Sequence, residues 1–235
     1  MHVIIANFGN DSVALLRHVY EQKLSDVYVV YVKTGWQACS WPARVKAAKE
    51  LIQGYGFNYV ELAPDMDFAQ LVRDRHNFPT IKFHWCANFL KGLPIIDWLD
   101  EVDVDLKATV MLAKRRQEAV ATKDLPEFIA HSDLYSDRRV WHPLYRHDLV
   151  QRDALIAATG IGLLKTRSLE CQPCIYSQVR DYAAMSRRDV DRLSDLSQEV
   201  GKPMFKQVMS DDSDLANGER DTYYSGCGSE FGCGL

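Results

Sequence analysis

The chain has 235 residues, a length that suits one large domain or one domain with a small appendage. Its hydrophobic fraction of 47% and charged fraction of 26% are those of an ordinary globular protein, while the formal net charge of −4 argues against a chain that holds nucleic acid by itself. No apolar run is long enough to span a bilayer, and the N-terminus lacks the basic and apolar regions of a signal peptide. We therefore expect a cytoplasmic protein whose thiols stay reduced.

The first part of the chain alternates between β and α patterns. Short apolar runs predict strands at residues 3–6, 27–32 and 58–62, and apolar residues at helical spacing predict helices at 12–23 and 42–55. Because parallel strands need crossover helices, this order predicts an α/β fold with a parallel, doubly wound sheet and helices on both faces. Ligands of such sheets bind beyond the carboxyl ends of the strands.

The rest of the chain predicts more helices, two more strands and an irregular tail. Helical spacing recurs at residues 68–75, 89–101, 148–159 and 179–200, and strand patterns occur at 108–113 and 140–144. From about residue 210 the chain is rich in Ser, Asp and Gly, which is typical of an irregular segment. We divide the chain into an α/β domain at 1–165 and a helical region with a Cys- and Gly-rich tail at 166–235.

The loop after the first predicted strand, Asn7-Phe8-Gly9-Asn10-Asp11-Ser12, is the first candidate site. It leads into a helix N-terminus, where the first amide groups have no partner inside the helix and the helix dipole favours an anion. Gly9 permits close approach of a phosphate, and Ser12 offers a hydroxyl donor or a helix cap. Asp11 suits a magnesium ion or a cap. An ordinary strand–turn–helix junction is the alternative reading of the same residues.

Arginines and tryptophans near other predicted strand ends have two interpretations. Arg115 and Arg116 follow a strand, so they form either a phosphate clamp or a solvated charge run. Trp36 and Trp41 are expected to pack in the core rather than stack on a base. A loosely basic region is interpreted as solvated surface. That region contains Arg138, Arg139, Arg146 and Arg152.

Six segments, in order, resemble motifs of the phosphoadenosine-phosphosulfate (PAPS) reductase and PP-loop ATP pyrophosphatase superfamily. The loop at 7–12 resembles S-G-G-x-D-S, and residues 82–94 follow the pattern K-x-x-W-C-x-x-x-x-K-x-x-P. The other four segments resemble the family's D-T-G, G-I-R-x-x-E-S, W-x-P-L and G-C-x-x-C-I motifs. They lie at residues 33–36, 114–119, 141–144 and 170–175.

The resemblance implies a nucleotide-binding α/β domain in which the loop grips phosphates and the Thr-Gly segment and later arginines complete the site. Three positions depart from the motifs: Asn7 replaces a serine, Phe8 replaces a glycine and Lys33 replaces an aspartate. Lys33 can itself contact a phosphate. The nucleotide-binding set is Asn7, Phe8, Gly9, Asn10, Asp11, Ser12, Lys33, Thr34, Gly35, Arg115 and Arg116.

The cysteines suggest a second site. Cys171 and Cys174 form a C-x-x-C, in which two thiolates can converge on one ion. The resemblance to cysteine-bearing members adds Cys86, and the tail supplies a fourth ligand, for which we choose Cys233 with Cys227 as the alternative. By the same resemblance, four thiolates imply an iron–sulfur cluster, with Zn²⁺ as the second choice. Cys227 is then a mobile nucleophile that carries a persulfide. The alternative is that the C-x-x-C is an ordinary loop pair and the tail cysteines are free thiols.

The retained Asp11-Ser12 and the absence of an E-C-G-I-H tail favour the ATP pyrophosphatase branch over the sulfonucleotide reductases. The resemblance then implies an enzyme that cleaves ATP with Mg²⁺ and adenylates a target for sulfur incorporation. It is closest to the enzymes of DNA phosphorothioation, with tRNA thiolation as the neighbouring option. Asp11, Ser12 and Cys227 are its catalytic residues.

The implied partners follow from that chemistry. A cysteine desulfurase or another donor supplies sulfur, other subunits hold the nucleic acid, no membrane is involved, and we consider a homodimer. Three alternatives stay open. They are a PAPS or APS reductase that releases sulfite, a nucleotide-sensing subunit without activity, and a zinc-containing nucleotide enzyme with no sulfur role.

Overall fold

The computed structural model describes residues 1–80, 83–117, 122–177 and 179–205. The strands are β1 (His2–Ala6), β2 (Val27–Val32), β3 (Asn58–Leu62), β4 (Thr109–Met111), β5 (Phe128–Ser132) and β6 (Arg138–Trp141). The helices are α1 (Asn10–Glu21), α2 (Trp41–Gly54), α3 (Phe68–Arg75), α4 (Trp85–Ala87), α5 (Leu93–Val102), α6 (Leu149–Ala157), α7 (Val179–Ala183) and α8 (Arg187–Val200).

The strands form one sheet in the order β3-β2-β1-β4-β6-β5. Strands β3, β2, β1, β4 and β6 are parallel to one another, and β5 pairs antiparallel with β6 at the edge. The predicted α/β fold is confirmed. The sheet was predicted to be parallel throughout, and the antiparallel strand β5 departs from that prediction. The sequence analysis missed β5 because its residues, Phe-Ile-Ala-His-Ser, are mostly exposed and lack a continuous apolar run. An edge strand needs only one partner and one buried face.

Alternate residues of the central strands point to opposite faces of the sheet, as the pleat requires. Ile4 and Ala6 of β1 join a core cluster that also contains buried residues of α1, α2 and α6. Val3 and Ile5 join a second cluster that contains Ile95 and Leu99 of α5. Helices therefore cover both faces, as predicted.

A third core cluster lies between α3 and α8. Its buried members include Trp36 from the segment after β2, Phe68 and Leu71 of α3, and Leu193 and Leu196 of α8. Helix α8 thus buries its apolar face against residues of the N-terminal half. The proposed boundary at residue 165 stays a prediction.

Several predicted elements have different bounds in the structure. The helix expected at 89–101 is a π-helical stretch (Asn88–Gly92) followed by α5, and α4 directly precedes them. The segment 179–200, expected to form one or two helices, forms two, and Ser186 caps the N-terminus of the second, α8, by accepting a hydrogen bond from the Asp189 amide. None of the helices in the described ranges combines the length and the apolar character of a membrane span.

The interpretation of the basic region as solvated surface is wrong for Arg138. Its side chain is fully buried. Its guanidinium donates to the carboxylates of Asp100 and Asp103, and to the carbonyls of Leu99 and Tyr135. A buried guanidinium is tolerated when its donors are satisfied in this way. Arg138 therefore holds the end of α5 against β6.

Candidate functional site

The loop 7–12 lies at the topological switch point of the sheet. From β1 the chain runs through α1 to β2 on one side, whereas β4, on the other side of β1, follows only after β3. Connections that leave in opposite directions open a crevice at the carboxyl ends of β1 and β4, and open α/β sheets bind their ligands there. The loop after β1 and Arg115 after β4 border this crevice.

Phe8 gives the loop its shape. Its φ of 57° lies in the left-handed region, which glycine occupies without steric cost, and the corresponding residue of the S-G-G-x-D-S loop is glycine. The Phe8 ring is buried and stacks on Tyr31 with a centroid distance of 5.0 Å. The Phe8 carbonyl accepts a hydrogen bond of 2.6 Å from Arg44 Nε. The loop therefore keeps a glycine-like backbone although the residue is aromatic.

Asn7 fixes the loop from inside. Its Oδ1 accepts hydrogen bonds from the Gly9 amide, at 2.8 Å, and from the Ser12 hydroxyl, at 2.9 Å. Ser12 is therefore not the helix cap that was one of the two expected roles. A Cβ on Gly9 would lie 3.1 Å from Asn7 Oδ1 and 3.2 Å from Ser168 Cβ, so the loop has little room for a larger residue.

The N-terminus of α1 is open. Its N-cap is Gly9, and no side chain in the described ranges caps it, whereas Asp67, Asp148 and Ser186 cap α3, α6 and α8. The first helical hydrogen bond runs from the Val13 amide to the Gly9 carbonyl. The three preceding amides, at residues 10–12, have no acceptor among the described residues. Free amides at the positive end of a helix form an anion site.

Asp11 and Arg115 form an ion pair across the crevice. Arg115 Nε donates to Asp11 Oδ1 at 2.5 Å, and the Arg115 side chain is only 3% exposed. Arg152 Nη1 of α6 lies 3.8 Å from Asp11 Oδ2. Two guanidinium groups thus offset the charge of Asp11, and Asp11 in turn holds Arg115 beside the open helix terminus. Arg152 had been assigned to solvated surface, but it is largely buried here.

Arg116 has other contacts. Its Nε donates to the Leu125 carbonyl at 2.8 Å, and its guanidinium lies 5.1 Å from the centre of the Tyr145 ring. Of the two predicted clamp arginines, only Arg115 therefore contacts a residue of the loop in the described structure.

The segment after β2 connects the loop region to the cysteines. Thr34 is buried, and its hydroxyl donates to the Glu170 carbonyl at 3.1 Å and lies 3.5 Å from Cys171 Sγ. Gly35 has a φ of 74°, and a Cβ there would lie 2.6 Å from Asp67 Cβ. Lys33 is exposed. The sequence analysis gave Thr34 only a nucleotide-binding role and missed its contact with Cys171.

Trp36 and Arg192 hold the C-x-x-C segment in place. The Trp36 carbonyl accepts from the Gln172 amide at 2.7 Å, and Trp36 Nε1 donates to the Pro173 carbonyl at 3.2 Å. The guanidinium of Arg192 lies 4.1 Å from the centre of the Trp36 ring and donates to the Gln172 carbonyl. Trp36 is thus a scaffold for this segment, and with Trp41 it is buried in the core, as expected.

A buried ion pair lies next to Cys171 in the chain. Lys91 Nζ and Glu170 Oε1 are hydrogen-bonded, and both side chains are at most 5% exposed. Burial, together with the Glu170 carboxylate, raises the pKa of nearby Tyr31, which therefore stays neutral. The sequence analysis did not single out this pair. Lys91 lies in the motif at 82–94 and Glu170 in the motif at 170–175, and these positions were the one indication in the sequence that the two residues matter.

Two of the described cysteines, Cys86 and Cys171, share an environment. Cys86 and Cys171 pack against the same apolar cluster between α3 and α8, and the Cys174 amide donates to Ser177 Oγ at 3.0 Å. Within the described ranges, no three His, Cys, Asp or Glu side chains are grouped as a metal site. Cys227 and Cys233 lie outside those ranges, as do motif residues Lys82, Glu118 and Ala119. The four-thiolate site stays a prediction.

No family model and no curated protein matches the chain. Among solved structures it is similar to a PAPS reductase from Candida auris in a phosphate complex, with 16% identity, a TM-score of 0.50, and coverage of 79% of this chain and 83% of that chain. A U34-tRNA thiolase, NcsA, from Methanococcus maripaludis with its 4Fe-4S cluster has 14% identity, a TM-score of 0.44, and coverage of 85% and 67%. An FMN adenylyltransferase from Candida glabrata has 13% identity, a TM-score of 0.45, and coverage of 69% and 49%. The chain therefore shares the α/β fold of the PAPS reductase structure.

Proposed function

We propose that the chain is an ATP pyrophosphatase that adenylates a target for sulfur incorporation into nucleic acid. The observation that carries this proposal is the open N-terminus of α1 at the switch point, where three free amides adjoin Asp11 and the buried Arg115. Amides, helix dipole and guanidinium all favour a polyphosphate. The retained Asp11-Ser12 favours ATP over a sulfonucleotide as its source.

In this proposal the loop holds the phosphates while AMP is transferred to an acceptor oxygen and pyrophosphate leaves. The amides at 10–12 donate to phosphate oxygens, and Arg115, positioned by Asp11, offsets the charge of the departing pyrophosphate. Asn7 and Ser12 keep the loop in shape for these contacts. The outer sulfur of the persulfide proposed for Cys227 then attacks the adenylated acceptor and displaces AMP. A second thiol attacks Cys227 Sγ and breaks the S–S bond, so that the outer sulfur stays on the acceptor and Cys227 ends in a disulfide.

Asp11 would hold a magnesium ion through Oδ2, because its Oδ1 already accepts a hydrogen bond from Arg115 Nε. Magnesium in such sites usually takes one or two protein carboxylates together with substrate phosphates, so a single carboxylate in the first turn of α1 fits it. When bound, the ion neutralises negative charge on the phosphates.

Sulfur transfer is proposed for the cysteine side of the site. Thr34 contacts Cys171 and belongs to the segment that directly follows β2. The candidate nucleotide site and the cysteines therefore meet at the carboxyl end of this strand. Cys227 is proposed to carry a persulfide supplied by a cysteine desulfurase, and the acceptor is DNA, as in phosphorothioation, or tRNA. The net charge of −4 supports a separate subunit that holds the nucleic acid.

Pyrophosphate release from ATP tests the nucleotide proposal. With Mg²⁺, a sulfur donor and nucleic acid present, we expect wild type to release pyrophosphate and Asp11→Ala to be slower by about 100-fold, since charge stabilisation at the phosphates is lost. Ser12→Ala should also be slower, because Asn7 loses a donor. Asp105→Ala, an exposed carboxylate elsewhere, is the control. If wild type releases none, the proposal is wrong.

A PAPS or APS reductase is the alternative function. The Cys227-Gly228 pair resembles the core of the reductases' tail motif. This alternative predicts sulfite release from PAPS with thioredoxin, and loss of that release in Cys227→Ser. Sulfite release without pyrophosphate release from ATP would establish the alternative in place of our proposal.

We also propose that Cys86, Cys171, Cys174 and Cys233 hold an iron–sulfur cluster, with zinc as the alternative. The packing of Cys86 and Cys171 against one cluster supports it. An anaerobic preparation should be brown, absorb at roughly 400 nm and contain iron. Cys171→Ser should lose the colour and Cys39→Ser should keep it. Stoichiometric zinc in a colourless preparation would contradict the cluster.

A further inference from the structure

An apolar groove of about 370 Å³ lies beside the carboxyl end of β3, between α3 and α5. Leu62 at the end of β3 and Trp98 of α5 are among the side chains that line it. The groove is on the far side of β2 from the switch point, because β3 is the edge strand of the sheet. It is separate from the candidate nucleotide site.

The groove exposes large apolar side chains. Met66 and Phe89 are each 40% exposed, and Leu93 is 51% exposed. All three line the same groove. Adjacent exposed apolar groups, including a flexible methionine and an aromatic ring, are typical of surfaces that bind a partner.

Three carboxylates surround these apolar groups. They belong to Asp65, Asp97 and Glu101, and no described residue that lines the groove carries a positive charge. Asp97 and Glu101 are four residues apart on α5, so they lie on one face of the helix. None of the three carboxylates forms an ion pair with any residue in the described ranges, so their negative charge is not neutralised there.

We propose that this groove binds a short segment of a separate protein, in which an apolar side chain is flanked by Lys or Arg. The apolar side chain fills the groove and the cations pair with the three carboxylates, which gives both affinity and specificity. Nucleic acid does not fit, because its phosphates would face these carboxylates. Residues 206–235 of this chain do not fit either, because they carry six carboxylates and only two cations.

A random dodecapeptide library displayed on phage tests the proposal on the full chain. Peptides are selected on wild type and counter-selected on Asp97→Lys/Glu101→Lys. We expect enrichment of peptides in which Lys or Arg flanks Leu, Ile or Phe. Selection that yields no peptide, or only peptides without this pattern, overturns the proposal.

Fluorescence anisotropy with an enriched, labelled peptide then locates the contact. We expect Asp97→Lys/Glu101→Lys to bind at least about tenfold more weakly, and binding to weaken with salt. Leu93→Ser should also weaken binding. Controls with the same changes outside the groove are Glu50→Lys/Asp105→Lys and Val104→Ser, all at exposed positions. Equal losses in the control and groove variants would overturn the proposal.

Sedimentation of the chain without peptide distinguishes a second copy from a different partner. We expect the groove variants to sediment as wild type does. If wild type forms a dimer that Asp97→Lys/Glu101→Lys dissociates, the occupant is a second copy of this chain and our assignment of a different protein is wrong. Because none of these measurements uses turnover, their outcome is independent of the proposed reaction.

Discussion

At the scale of single residues, the loop 7–12 keeps a backbone conformation that glycine favours although the residue there is phenylalanine. Phe8 adopts a left-handed backbone that is unfavourable for any residue with a Cβ by about 1 kcal/mol or more. Its buried ring, stacked on Tyr31, offsets that cost. Asn7 adds two hydrogen bonds inside the loop. The loop is thus held by packing and by Asn7 where the superfamily motif has serine and glycine.

This balance predicts an unusual order of stability for two variants. Phe8→Ala loses the buried ring and keeps the unfavourable backbone, so it should be destabilised by about 3 kcal/mol or more. Phe8→Gly loses the same ring but relieves the backbone, so it should be more stable than Phe8→Ala by about 1 kcal/mol. Urea unfolding measures both. A Phe8→Gly variant no more stable than Phe8→Ala would show that the loop is not left-handed there.

The sequence identified residues of the site by their place in motifs, but not their contacts. Arg115 was a candidate because it follows a strand, whereas its partner Asp11 is far away in the chain. Arg44, which donates to the Phe8 carbonyl, lies in no motif. Asn10 exchanges two hydrogen bonds with the Leu164 backbone, again over a long separation. Periodicity and spacing carry no information on such pairs, which only the fold brings together.

At the scale of helices and strands, the local sequence predicts the bounds of an element correctly where that element carries capping residues or a clear apolar pattern. The prediction of α3 at residues 68–75 is confirmed in full, because Asp67 and Gln70 form a capping box at its start. β5 and the π-helical stretch lacked such signals. An exposed edge strand has little apolar pattern, and a π-helical turn depends on its surroundings. β4 is shorter than predicted because only three of its residues pair with β1.

Helix α8 is predicted to stabilise the C-x-x-C segment through Arg192. Replacing Arg192 with Gln removes the contact with the Trp36 ring and the hydrogen bond to the Gln172 carbonyl. We expect faster hydrogen exchange at residues 170–174, where the Gln172 amide is bonded to Trp36. Arg187→Gln is the matched control, since Arg187 is exposed and forms an ion pair with Asp191 of its own helix. Equal exchange in both variants would contradict the role of Arg192.

At the scale of the whole molecule, the order of strands positions the candidate site. The βαβαβ alternation predicted the class of sheet, and β1 between β2 and β4 brings the loop, Arg115 and Thr34 to one edge. The order β4-β6-β5 was not predictable, because the segments between these strands have weak patterns and the antiparallel edge strand was missed. The same fold also buries ionisable histidines, which has consequences for its stability.

His142 makes the stability of the fold depend on pH. Burial, with a smaller effect from Lys114, lowers its pKa to about 4, and its neutral ring donates from Nδ1 to the Pro126 carbonyl at 2.8 Å. Below pH 6.5 the unfolded chain takes up a proton that the native state refuses until about pH 4, so stability falls on acidification through this window. Between pH 7.5 and pH 5 the loss from His142 is about 2 kcal/mol. Burial also lowers the pKa of His18 and His147, whose rings are in contact, so they act in the same direction.

A variant that keeps the hydrogen bond but cannot titrate isolates this effect. The side-chain amide of His142→Asn can replace the Nδ1 donor, so urea unfolding of this variant should lose about 2 kcal/mol less than wild type between pH 7.5 and pH 5. His131→Asn, at an exposed histidine, is the control for replacing a histidine. The measurement separates His142 from the carboxylates, because those are unchanged in both variants. If wild type and His142→Asn lose equal stability, His142 is not held neutral by the fold.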